Sequence, residues 1–182
     1  MKSIVFIFLL ITTYANSQVT EYANFNLLEN EEIIWRLVYN RPGASVDSLK
    51  AIIFNNISSD NALKIIEEGE TELVAEMKEM IFEKNGDLFN GRVSFEVKDG
   101  KYRVTLSGVR RFFGVKTMRL ANFGGVSNQV KNDNVGMRFE DTYLKKDGKS
   151  LTGMKGLEIY NKLFLPQFDY KSVRDSKKET DW

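Results

Sequence analysis

Hydrophobic and polar residues alternate most regularly between Gly91 and Ser107, where GRVSFEVKDGKYRVTLS reads as two runs of period two around Asp99-Gly100. An Asp-Gly pair between alternating runs predicts a two-residue hairpin turn of type I′, with both central residues at positive φ. Pairing Lys98 with Lys101 sets Val97 against Tyr102, Phe95 against Val104 and Val93 against Leu106, so these apolar side chains share one face. The other face then carries Arg92, Ser94, Glu96, Arg103, Thr105 and Ser107. Glu96 and Arg103 are expected to form a cross-strand ion pair worth ~0.2–1 kcal/mol.

Upstream, Ile33, Trp35, Leu37 and Tyr39 alternate with Ile34, Arg36 and Val38, which predicts a strand whose second face is partly covered. Pro42-Gly43 ends it. Ser45 suits the N-cap of a helix in which Val46, Leu49, Ile52, Ile53 and Ile57 recur at helical spacing, and such a stripe needs a one-sided sheet to rest on. Ala62 to Glu67 predicts a short strand ending at Gly69. For Thr71 to Phe82 two signals conflict. The residue types favour a helix, whereas Leu73, Ala75, Met77 and Ile81 fall on one face of a strand and Asn85-Gly86 offers a turn into the next. Gly114 to Asn134 is rich in Gly and Asn and predicts a long loop with weak strands. Leu151, Met154, Leu157, Tyr160, Leu163 and Phe164 recur every three or four residues, predicting a C-terminal helix that stops before Pro166.

The start of the chain follows a different pattern. Lys2 precedes eight unbroken apolar residues, Ile4 to Ile11, and Ala15-Asn16-Ser17 supplies small residues at the spacing of a signal-peptidase site. A membrane span needs about 20 apolar residues, so this segment reads as a signal peptide cleaved before Gln18. The expected organisation is a signal peptide at 1–17, a lead-in at 18–30, one α+β domain at 31–170 and a polar tail at 171–182. The expected destination is the periplasm or the cell exterior, with no stable membrane insertion after signal cleavage.

Composition then removes classes of chemistry. The 182 residues are 42% hydrophobic and 28% charged, in keeping with one globular domain. Loss of Lys2 leaves 25 basic and 25 acidic residues, so the electrostatic footprint of a nucleic-acid binder is missing and no nucleic acid is expected as a partner. Without Cys there is no disulfide, thiolate nucleophile or thiolate metal site. Without His, the Ser-His-Asp arrangement and the usual zinc ligands go too. No cofactor and no metal are expected, and carboxylates, Lys, Tyr and hydroxyls remain for any chemistry.

Glu67, Glu68, Glu70, Glu72, Glu76, Glu79 and Glu83 form an acidic stretch from which a glycosidase pair such as Glu72 and Glu76 could come. Interspersed Lys78 and Lys84 make a solvated sheet face the simpler reading. Asn132-Asp133-Asn134-Val135-Gly136 lacks the order and closing Glu of a calcium loop, and Gly124-Gly125 lacks the Lys-Ser/Thr of a phosphate loop. Arg110-Arg111-Phe112-Phe113 reads as protection of a strand edge beside a core aromatic.

The order strand, helix, strand, strand, hairpin resembles a secreted Bacteroidota family of unknown function with a TATA-box-binding-protein-like (TBP-like) fold. Trp35, Asp47, Leu49, Ile65-Ile66 and Lys98-Asp99-Gly100-Lys101-Tyr102-Arg103 carry the resemblance, over about 31–113. It implies a curved antiparallel sheet packed in two layers against helices, and it implies a strand for Thr71 to Phe82. The fold name is geometric and does not imply DNA binding. Together these readings describe an exported, non-catalytic binding module with no catalytic residue assigned, whose partner is a protein or glycan of the cell envelope. The alternative is a carboxylate-based hydrolase acting on glycans. The contact surface expected is the outward hairpin face, Arg92, Glu96 and Arg103, with the loop around Asn122 to Asn128.

Overall fold

The computed structural model describes residues 18–82, 86–112 and 136–171. The 1–17 leader, Asn85 of the expected Asn-Gly turn, the 114–134 stretch with its Asn122–Asn128 loop, and the tail from 172 lie outside the described residues. The strands are β1 (Glu21–Tyr22), β2 (Phe25–Leu27), β3 (Ile33–Asn40), β4 (Leu63–Glu68), β5 (Glu72–Ile81), β6 (Leu88–Lys98), β7 (Lys101–Phe112) and β8 (Met137–Arg138). The helices are α1 (Val46–Ser58), α2 (Phe139–Tyr143) and α3 (Met154–Gln167). One antiparallel sheet runs in the order β1-β2-β3-β7-β6-β5-β4, and β8 pairs with β7 past the point where β3 leaves it. This is an α+β fold in two layers, a curved sheet with helices.

The alternation along the strands decides which face is buried. Trp35, Tyr39, Tyr102, Val104, Leu106, Val93, Phe95, Val97, Leu73, Ala75 and Met77 form one apolar surface. Leu49, Ile53 and Ile57 of α1, Phe139 and Tyr143 of α2, and Leu157, Tyr160 and Phe164 of α3 cover that surface. Ser45 caps α1 as expected, its Oγ accepting the Ser48 N–H at 3.3 Å. On the second face Ile34 is buried while Val38 is 45% exposed, so that face of β3 is covered at one end only.

The β6–β7 hairpin has the expected register from Lys98↔Lys101 to Val93↔Leu106. Its turn is not type I′, because Gly100 takes φ +73° while Asp99 does not take a positive φ. Tertiary bonds set this geometry. Asp99 Oδ1 accepts the Val46 N–H at 3.2 Å, Gly100 N–H donates to Ala44 C=O at 2.8 Å, and Arg41 N–H donates to Gly100 C=O at 2.7 Å. A Cβ at Gly100 would meet nothing closer than 3.8 Å, so the cost of a side chain there is backbone strain alone. Gly100→Val is therefore expected to cost about 1–2 kcal/mol. Each of those kcal/mol lowers Tm by roughly 2–4 °C in a domain of this size, which a thermal melt would read.

The Thr71 to Phe82 segment forms strand β5, Glu72–Ile81, and Leu73, Ala75 and Met77 face the core as expected. Ile81 does not. A register shift between Met77 and Met80 puts Met80 into the core and leaves Ile81 54% exposed. The C-terminal helix begins at Met154, leaving Leu151 in a bridge with Leu144, and it continues through Pro166. Proline forfeits one hydrogen bond in the last turn, but fully buried Phe168 just beyond it holds the turn on the sheet. The 18–30 lead-in contributes β1 and β2, strands too short to show a period. Among the described residues no helix is long and apolar enough to cross a membrane.

Candidate functional site

With the helices on one side, the other face of the sheet displays the polar half of each alternation. Arg92, Glu96 and Arg103 all lie there, half-exposed, and each already has a partner. Arg103 grips Glu96 with both Nε, at 2.9 Å, and Nη2. Arg92 turns instead to Glu67 Oε2 at 3.3 Å. In register, Glu67 stands opposite Val74 and Arg92 opposite Glu76, so this pair reaches from β4 to β6 across β5. It passes between Glu76 and Val74, an apolar residue of this face that is only 2% exposed. Exposed pairs of this kind are worth ~0–1 kcal/mol each. Their effect is to brace the polar surface from strand to strand.

The acidic stretch does not converge. Glu68 pairs with Lys50 of α1 at 2.9 Å and Glu76 with Lys78 at 3.1 Å, while Glu72 lies opposite Glu96, whose charge Arg103 offsets. Glu83 lies outside the described residues. Among the described residues no cluster of acids could hold a metal ion.

A hollow of about 590 Å³ opens on the same face where three neighbouring strands break their regular geometry. Strand β5 shifts register around Lys78 and Glu79, β6 shifts between Asn90 and Arg92, and β7 bends at Gly108, φ +58°. Gly91 sits in a tight space, since a Cβ there would lie 3.1 Å from Ser107 O and 3.3 Å from Met77 Cε. Glu79 is held at φ +51° with its N–H donating to Asn90 Oδ1 at 2.6 Å. Left-handed backbone costs a residue with a Cβ about 1–2 kcal/mol, of which glycine's greater unfolded entropy offsets ~0.5–1. Glu79→Gly is therefore expected to raise Tm by a degree or more in a thermal melt, an unusual sign for a charged-to-glycine change in a strand.

Comparison with known proteins adds likeness without identity. No protein family and no curated protein matches this chain. Solved structures similar to it include the following two. One is a DUF4468 family protein from Bacteroides ovatus ATCC 8483, at TM-score 0.46 and 14% identity over 77% of this chain and 81% of that one. The other is a TBP-like protein from Parabacteroides distasonis ATCC 8503, at TM-score 0.39 and 14% identity over 79% of this chain and 86% of that one. Both come from Bacteroidota. The architecture itself rests on this chain's own strand pairing.

Arg110 corrects an expectation. Arg110 and Arg111 do not protect an edge, because β7 is paired on both sides there: Arg110 stands opposite Asn90 of β6 and opposite Arg138 of β8. Arg111 turns to the helical side, where it pairs with Asp87 at 2.5 Å and stacks over Tyr160. Sequence patterning does not single out Asn90 or Gly108, and it places Glu79 and Arg110 only within an acidic stretch and a basic-aromatic run. A signal for the hollow exists in glycines that interrupt otherwise regular strands, Gly91 and Gly108.

A second polar cluster, at the far end of β3 and β7, is structural. Arg41 stacks over Tyr39 and Tyr102, forms an ion pair with Asp169, and donates from Nε to Tyr170 C=O at 3.1 Å. Tyr39 Oη donates to Leu165 C=O at 2.8 Å, and Tyr102 Oη both donates to Phe168 C=O at 2.7 Å and accepts the Tyr170 N–H at 2.8 Å. Burial pushes the Tyr102 hydroxyl up to about 12 and raises that of Tyr39 as well. These polar groups are spent on fastening 165–171 to the sheet.

Proposed function

We propose that this protein is an exported, non-catalytic binding module that presents the open face of its sheet to a partner in the cell envelope. The observation that carries the reading is the asymmetry of the two faces. Aromatic side chains from α2 and α3 and aliphatic ones from α1 fill one face, while the other, among the described residues, is an open polar surface braced by ion pairs from strand to strand. A surface so braced is pre-organised, which lowers the ordering cost of association. Export is supported by the Lys2, Ile4–Ile11 and Ala15-Asn16-Ser17 pattern, and intact mass of the native protein is expected to show loss of the first 17 residues.

Because the hairpin charges contribute little to stability, replacing Arg92, Glu96 and Arg103 together by Ala leaves a folded reporter. Affinity capture from the native envelope is expected to recover a partner with the wild type and less of it with the triple variant. Equal recovery would remove the hairpin from the contact surface, and turnover of a glycan or peptide by the purified wild type would contradict the non-catalytic reading.

A further inference from the structure

We propose that the hollow beside the hairpin, between Glu79 and Arg110, is the site that binds the carboxylate of a peptide; this rests on reading the open face as the binding surface. The hollow lies where β5, β6 and β7 break regularity side by side, at Glu79, Gly91 and Gly108. Its volume of about 590 Å³ lies inside the range of ~300–1,000 Å³ common to small-ligand sites.

The charges around it are arranged for an anion on one side. Arg110 lines the hollow, is exposed, and forms no ion pair with any described residue. Directly across the β7–β8 pairing stands Arg138, whose Nε is engaged with Glu140 Oε2 at 3.2 Å. Like charges directly opposite one another destabilise a sheet pair, a cost borne here because Phe139, next to Arg138, is buried in the core. A carboxylate held in the hollow by Arg110 through charge-assisted hydrogen bonds offsets part of that repulsion.

On the far side of β6, Glu79 is an exposed carboxylate without an ion-pair partner among the described residues, suited to an amide or ammonium donor of the same ligand. Asn90 lies between the two strands, and with its Oδ1 taken by the Glu79 N–H its amide nitrogen is left to donate. Among the described residues that line the hollow, the Arg110 cation and the Glu79 carboxylate stand on either side of Asn90, a pairing that suits the carboxylate and the backbone N–H groups of a peptide together.

The test is saturation-transfer NMR on the protein purified from its native host. The probes are a pool of acetylated tripeptides with free C-termini, the same pool amidated, and galacturonate. The acid pool is expected to bind, with the amidated pool at least about tenfold weaker. Arg110→Gln should weaken the acid pool about tenfold, Arg110→Lys by less, and Lys155→Ala, on the exposed side of α3, not at all. Because Arg110 is exposed, circular dichroism of these variants should match the wild type. Equal binding of the two pools, no binding of the acid pool, or indifference to Arg110→Gln would overturn the proposal, and a preference for galacturonate would overturn its assignment to a peptide. Failure of the broader reading shows separately, as recovery of no partner by the wild type from the envelope.

Discussion

Phe164→Ala should be the most damaging single truncation in the chain, lowering stability by about 3–5 kcal/mol. Phe164 is fully buried on α3, and its ring meets those of Phe25, Trp35, Phe82, Phe89, Phe139 and Tyr160 with centroids 4.8–6.3 Å apart. Those rings come from both β2–β3 and the β5–β6 end of the sheet, so the cavity left behind touches elements that cannot all close on it together. A domain of this kind has a total stability of ~5–15 kcal/mol, and the loss therefore takes a large share of it. A urea melt is expected to show the midpoint falling steeply at unchanged slope. A loss below about 1 kcal/mol would mean that α3 does not pack on the sheet through this ring.

Tyr102→Phe should rank second, although it removes a single oxygen. That hydroxyl bonds both Phe168 C=O and Tyr170 N–H, and a buried backbone group left unsatisfied costs about 1–3 kcal/mol. The same contact makes a pH prediction. The Tyr102 hydroxyl is raised from 10.0 to about 12, so its proton is held more tightly in the folded chain than in the unfolded one. Its contribution is complete below the unfolded value of 10.0 and is lost as pH rises towards about 12. Alkaline melts of the wild type should fall across that window, and Tyr102→Phe should show a shallower fall from a lower starting point.

Where local chemistry and periodicity agree, the fold is legible in the chain itself. The β6–β7 hairpin reads correctly because Asp99-Gly100 and the alternation on both sides point to one register. Helix α1 reads correctly because Ser45 and the Leu49–Ile53–Ile57 stripe agree. The failures share a cause, a long-range contact that overrides a local signal. The turn at Asp99 yields to hydrogen bonds from the 41–46 loop, and α3 passes Pro166 because Phe168 is drawn into the core. Thr71 to Phe82 shows the converse, since its composition suits a helix and only burial between β4 and β6 makes it a strand. Arg92, Glu96 and Arg103 could be placed on one face in advance. The turning of Arg92 to Glu67 could not, because the side-by-side position of β4 and β5 is a product of topology.

The central claim, that the open face of the sheet is the working surface, is tested most directly by covalent footprinting in native envelope extract. Arginine and lysine reactivity would be compared there with that of the isolated protein. Protection is expected at Arg92, Arg103 and Arg110 on the open face, while Lys155 and Lys162 on the exposed side of α3 keep their reactivity. Protection of Lys155 and Lys162 with the open-face arginines unchanged would place the partner on the helical side and contradict the account.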